Sequence, residues 1–199
     1  AAYRVLFDQR YPAPGDSALA QAWSHRFHQA SKPEPLVLGG QDWGFDHGTW
    51  GVLKPLFPGA DIPVVQMSLD VQATLSQHAA LGLQLRGLRD EGVLIVASGN
   101  TVHNLRSSER SAPDDQATDW AREFDGFVAQ SVLSQDHAAL CLGQASEHLR
   151  GVFRLSHPSI EHYVPLLYAA HASHASDQVS FYCEQYQWAT VAMRSIVWS

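Results

Sequence analysis

The chain has 199 residues, 45% of them hydrophobic, with 13 basic against 20 acidic side chains and a formal net charge of −7. At that length one core can bury about 70% of the unfolded surface, so a single domain over residues 1–199 is expected. The acidic balance and the lack of a basic cluster argue against a nucleic-acid partner, no run approaches a membrane span, and Ala1–Leu6 lacks the apolar core of a secretory signal, which together predict a cytoplasmic protein.

Cys141 and Cys183 stand far apart and form no C-x-x-C pair, so neither a disulfide framework nor a thiolate zinc site is expected, and both are read as small buried apolar residues. Eleven histidines are the unusual feature of the composition. Imidazole both moves protons near neutral pH and binds transition metals. His25 and His28 fall in a polar helix and His171 and His174 among small residues, so these four are assigned no function.

Taken in order, Tyr3–Tyr11 ends in the rigid turn Pro12-Ala13-Pro14-Gly15, and Asp16-Ser17 opens a helix with Leu19, Ala22, Trp23 and Phe27 on one stripe. Lys32-Pro33-Glu34-Pro35 ends it, and Leu36-Val37-Leu38 reads as a short strand broken by Gly39-Gly40. The following loop, Gln41 to Gly51, is dense in aromatic residues and glycine and carries the pair Asp46-His47. Asp46 either orients a neighbouring imidazole or caps the helical turn after it, with His47 packed beneath Trp50 in the second case.

Val52–Phe57 is expected to be a short helix and Pro63–Leu69 a buried strand. Asp70 is expected to cap a long helix with Leu75, Ala79, Gly82, Leu85 and Leu88 on its inner face. Val93-Leu94-Ile95-Val96 then reads as a central strand buried on both faces, running into the bend Ser98-Gly99-Asn100 and delivering His103. Strand ends of this kind converge on a crevice in α/β sheets.

Beyond a polar loop at 107–117, Trp120, Phe124, Phe127 and Val128 define another helix. His137 and His148 follow in a stretch where both are expected to face solvent. Ser159 is a plausible cap that would place Glu161 and His162 in the first turn of an apolar helix, and Val179–Val197 alternates as strands completing the sheet. A serine hydrolase using Ser98 ranks low, because Val96-Ala97-Ser98-Gly99-Asn100 lacks the G-x-S-x-G elbow.

Five blocks, Tyr11–Gly15, Trp43–Gly51, Asp61–Gln66, Ala97–Arg106 and Glu161–Tyr168, together resemble the class III extradiol ring-cleavage dioxygenases, of the 4,5-DOPA type, and occur in family order. The resemblance implies one α/β catalytic domain with a central mixed sheet flanked by helices. It implies opening of a catechol ring with O2 at a non-haem metal, iron(II) first and zinc(II) as the other choice. By the same resemblance His103 is the acid/base histidine, His162 the metal ligand with Glu161 as its alternative, and His47 a pocket histidine. Trp50 and Asn104 would contact substrate.

The family carries a Gly-His-Gly-Ser-Pro turn and a Ser-Ala-His-Trp strand end, each with one metal histidine, ahead of the block at Tyr11. The chain begins after both. The expectation is therefore a fragment or processed form, a second chain or homo-oligomer covering the missing region, or an inactive binding or structural relative.

Overall fold

The computed structural model describes residues 8–30 and 44–199, with the side chains of 27–30 left aside. The strand expected at Leu36–Leu38 and its flanking turns lie outside the described residues. The chain divides into two compact units, residues 1–68 and 69–199.

In the first unit, helix α1 (Ser17–Ala30) starts where Asp16 accepts the Leu19 N–H at 2.8 Å, as its sequence predicts. Helix α2 (His47–Leu56) begins five residues earlier than expected. The reason is Asp46, which caps it by accepting the Thr49 N–H at 2.9 Å. A small core of Tyr11, Leu53 and Ala60 packs with Phe45, Trp50, Phe57 and Val64, and the Tyr11 hydroxyl donates to the Phe57 carbonyl at 2.9 Å.

The second unit is built mainly from helices. Helix α3 (Leu75–Asp90) is capped by Thr74, whose side chain accepts the Gln77 N–H in a reciprocal capping box. Asp70, the expected cap, instead accepts the Gln72 N–H within the preceding turn. Helices α4 (Asp119–Leu133), α5 (Glu147–Ser156) and α6 (Val164–Ala172) follow. Helix α3 packs closely on α6, because Gly82 lets the two backbones approach: a Cβ there would lie 2.8 Å from the Tyr168 Cα. The buried His78 Nδ1 lies 2.8 Å from the Tyr168 hydroxyl across the same contact.

Phe124, Val128, Val132, Leu140, Tyr163 and Leu167 are fully enclosed and form the centre of this unit's core. The short strands β1 (Val179–Tyr182), β2 (Tyr186–Gln187), β3 (Val191–Ala192) and β4 (Ser195–Trp198) form two antiparallel pairs, β1 with β4 and β2 with β3.

The α/β class agrees with the sequence reading, but two of its strands do not. Neither 63–69 nor 93–97 joins a ladder among the described residues. Leu94 is 69% exposed and Val96 44%, where burial on both faces was expected. An apolar run becomes a central strand only where neighbours offer backbone partners on both sides, and no described segment does so here. The C-terminal strands pair with each other for the same reason.

Three smaller expectations are also corrected. Cys183 is exposed, at a φ of 52°. His137 is partly buried against His171 and Trp198, with Nε2 shielded from solvent. Glu161 and His162 lie in a turn before α6, because that helix starts only at Val164.

Candidate active site

The second unit gathers His103, Glu161 and His162. The imidazoles of His103 and His162 stack face to face, with ring centroids 3.5 Å apart and planes 10° from parallel. These residues are 59 positions apart in sequence, and the bend at 99–104 brings them together. A Cβ on Gly99 would lie 2.2 Å from the His162 carbonyl oxygen, so only glycine lets this bend seat against the 162 backbone. Beside it, the Asn100 N–H donates to the same carbonyl at 2.9 Å.

Each following residue is tied in turn. Thr101 donates its hydroxyl to Asp125 at 2.8 Å, and Val102 is fully buried in the core. The His103 N–H donates to the Ser156 carbonyl at 3.0 Å, and His103 forms an isolated antiparallel bridge to Val191. Asn104 is buried. Its Nδ2 donates to the Leu155 carbonyl at 2.7 Å, while Oδ1 accepts the N–H groups of Arg106 and Ser107. Both ends of that amide serve the backbone, so Asn104 braces the bend.

Electrostatics follow burial. Burial holds the His103 pKa below the ordinary histidine value, with the Glu161 carboxylate pulling the other way. Burial alone would raise the Glu161 carboxyl, but the Ser159 hydroxyl at 2.7 Å, its own backbone N–H and the two imidazoles outweigh that and hold it below the usual range. His103 is therefore neutral at neutral pH and sits beside a carboxylate that favours its protonated form.

Sequence reasoning missed three groups. His157 lies beneath the site, packed edge-on against Phe124 and near Tyr163, and burial pushes its pKa down to about 4. Asp125 is buried and takes four hydrogen bonds, from Thr101, Tyr186 and two nitrogens of Arg194. Asn100 contacts His162 directly, with its Oδ1 3.2 Å from the His162 Nδ1. The signal for Asn100 was present in its position after Gly99, at the point of closest backbone approach. Asp125 lies within the apolar pattern of α4 and His157 just past the end of α5, and neither carries a local signal of its partners.

In the first unit His47 is exposed at the start of α2, and Trp50 packs on the Tyr11–Leu53–Ala60 cluster. Asp46 acts as the helix cap.

Among the described residues no three His, Cys, Asp or Glu side chains form a metal-holding group. His162 nevertheless fits one ligand of such a group. Its Nδ1 lies 3.2 Å from the Asn100 Oδ1; with the proton on Nδ1, Nε2 would be the ligating nitrogen, as in ligating histidines held by an outer partner. The nearly parallel rings, 3.5 Å apart, do not converge on one point through their ring nitrogens, so at most one of the two imidazoles would hold a given metal ion.

No described helix is long and apolar enough to cross a membrane. Residues 2–191 match the family model described as the catalytic LigB subunit of aromatic ring-opening dioxygenase. The chain is 39% identical over 194 residues to a 4,5-DOPA dioxygenase extradiol of Escherichia coli K12, covering 97% of this chain and 69% of that protein. A 4,5-DOPA dioxygenase extradiol of Portulaca grandiflora is 33% identical over 81% of this chain, which spans 57% of the plant protein. The crystal structure of an uncharacterized protein, JW3007, from Escherichia coli K12 superposes with a TM-score of 0.83 at 37% identity, covering 96% of this chain and 76% of that one. The chain thus belongs to the LigB family of aromatic ring-opening dioxygenases.

Proposed function

We propose that the chain acts as an extradiol dioxygenase, opening a catechol ring with O2 at a non-haem metal, iron(II) before zinc(II), and that its 199 residues work as one catalytic domain. The observation that carries this reading is the His103–His162 stack, which pairs an imidazole suited to ligation with one suited to proton transfer. Family membership and the 4,5-DOPA dioxygenase relatives support the substrate class. His162 would hold the metal, with Glu161 as the alternative. A bound metal supplies Lewis-acid polarisation of the diol and the redox partner for O2.

The remaining steps belong to protein groups. His103, neutral at neutral pH, takes a proton from one catechol hydroxyl at a ring nitrogen. The nearby Glu161 carboxylate stabilises the imidazolium so formed, and His103 returns the proton as the ring opens. The backbone ties of the 99–104 bend keep that ring in place throughout. His47 and Trp50 are assigned to substrate contact on family resemblance.

The test is anaerobic loading with iron(II), metal analysis, and oxygen uptake with a catechol. Bound iron and one O2 consumed per ring opened support the proposal. Neither metal binding nor uptake would instead leave a non-catalytic member of the family.

A further inference from the structure

We infer that Asn100 is a positioning residue for His162, fixing both its tautomer and its ring plane. All four polar groups of Asn100 are engaged. Its N–H donates to the His162 carbonyl at 2.9 Å, and its Oδ1 accepts from the His162 Nδ1 at 3.2 Å. Its Nδ2 donates to the Ala192 carbonyl at 2.9 Å, and its own carbonyl faces the His157 Nε2 at 3.4 Å.

The Ala192 contact sets the direction of the amide. With the amide turned over, Oδ1 would meet the Ala192 carbonyl and Nδ2 would meet the imidazole, placing two acceptors together. The amide oxygen therefore faces His162, and an acceptor there requires the proton on Nδ1. In an unconstrained neutral histidine the proton prefers Nε2, so Asn100 holds the less favoured form. Two hydrogen bonds from one residue to the backbone and ring of another also fix the rotation of that ring.

That this tautomer serves a metal on Nε2 rests on the function proposed above; the tautomer itself does not. An outer-shell partner of a ligating histidine contributes about 10–100-fold in metal affinity.

The experiment is 15N–1H correlation of the His162 ring nitrogens in the full chain, metal-free and zinc-loaded, beside zinc titration of Asn100→Ala and Asn100→Asp. The expected result is Nδ1–H in the unaltered metal-free chain, and a shift toward Nε2–H in Asn100→Ala with about 10–100-fold weaker zinc binding. Asn100→Asp keeps an acceptor and should retain Nδ1–H. Nε2–H in the unaltered chain overturns the inference and needs no variant to fold. Nδ1–H kept in Asn100→Ala also overturns it. If zinc fails to bind the unaltered chain while the tautomer follows Asn100, the positioning role stands and the metal reading falls.

Discussion

His47 follows Gly44 and Asp46 on a bend whose side chains cap and begin helix α2, whereas His103 follows Gly99 and Asn100 on a bend that starts no α-helix. The first imidazole is exposed, and the capping bond near it belongs to Asp46. The second is stacked on another ring, Gly99 seats closely against the 162 backbone, and every residue from Asn100 to Asn104 makes a backbone or side-chain tie to a distant segment. Two similar motifs therefore hold their histidines to different degrees. Fixed geometry comes from long-range partners that a motif does not display.

The largest effect expected from breaking the anchored bend is at Asp125. Asp125→Ala leaves the Arg194 guanidinium without its buried partner and should cost roughly 3–5 kcal/mol in urea unfolding. Gly99→Ala drives a methyl group into the His162 carbonyl and should cost roughly 3 kcal/mol, while separating the two imidazoles. A crystal structure of that variant with the stack intact would count against this account.

Acid should weaken the same region. The folded pKa of His157 is about 4 against 6.5 for an ordinary histidine, so its contribution is complete above pH 6.5. Between 6.5 and 4 the unfolded chain holds the extra proton, and stability falls with pH by roughly 3 kcal/mol in all. His78, His103, His137 and His171 are displaced in the same direction and add to the slope. Urea midpoints from pH 7 to 4 should therefore fall less steeply in His157→Phe than in the unaltered chain. The smallest effect belongs to the other bend, where His47→Ala should change stability by less than about 0.5 kcal/mol.

The helices were largely legible because their signals are local. Asp16 and the apolar stripe at Trp120, Phe124, Phe127 and Val128 mark elements whose caps and faces lie within one or two turns. The expected strand at Val93–Val96 was misread because pairing depends on neighbours that composition does not reveal. At the site, the blocks around His103 and His162 were visible as a resemblance, but their stacking was not, since contact between residues 59 apart depends on Gly99 and the 162 backbone. Asn104 shows the converse: a polar residue beside a candidate histidine reads as a ligand contact, while its amide is occupied by Leu155, Arg106 and Ser107.

The most direct measurement is turnover of a catechol by the iron-loaded chain with His103→Gln beside His47→Gln, at matched metal content. A general acid/base histidine is worth about 10²–10⁴-fold, so kcat should fall by that much in His103→Gln with iron still bound at His162. His103→Gln turning over at the unaltered rate would contradict the division of roles assigned to the stacked pair.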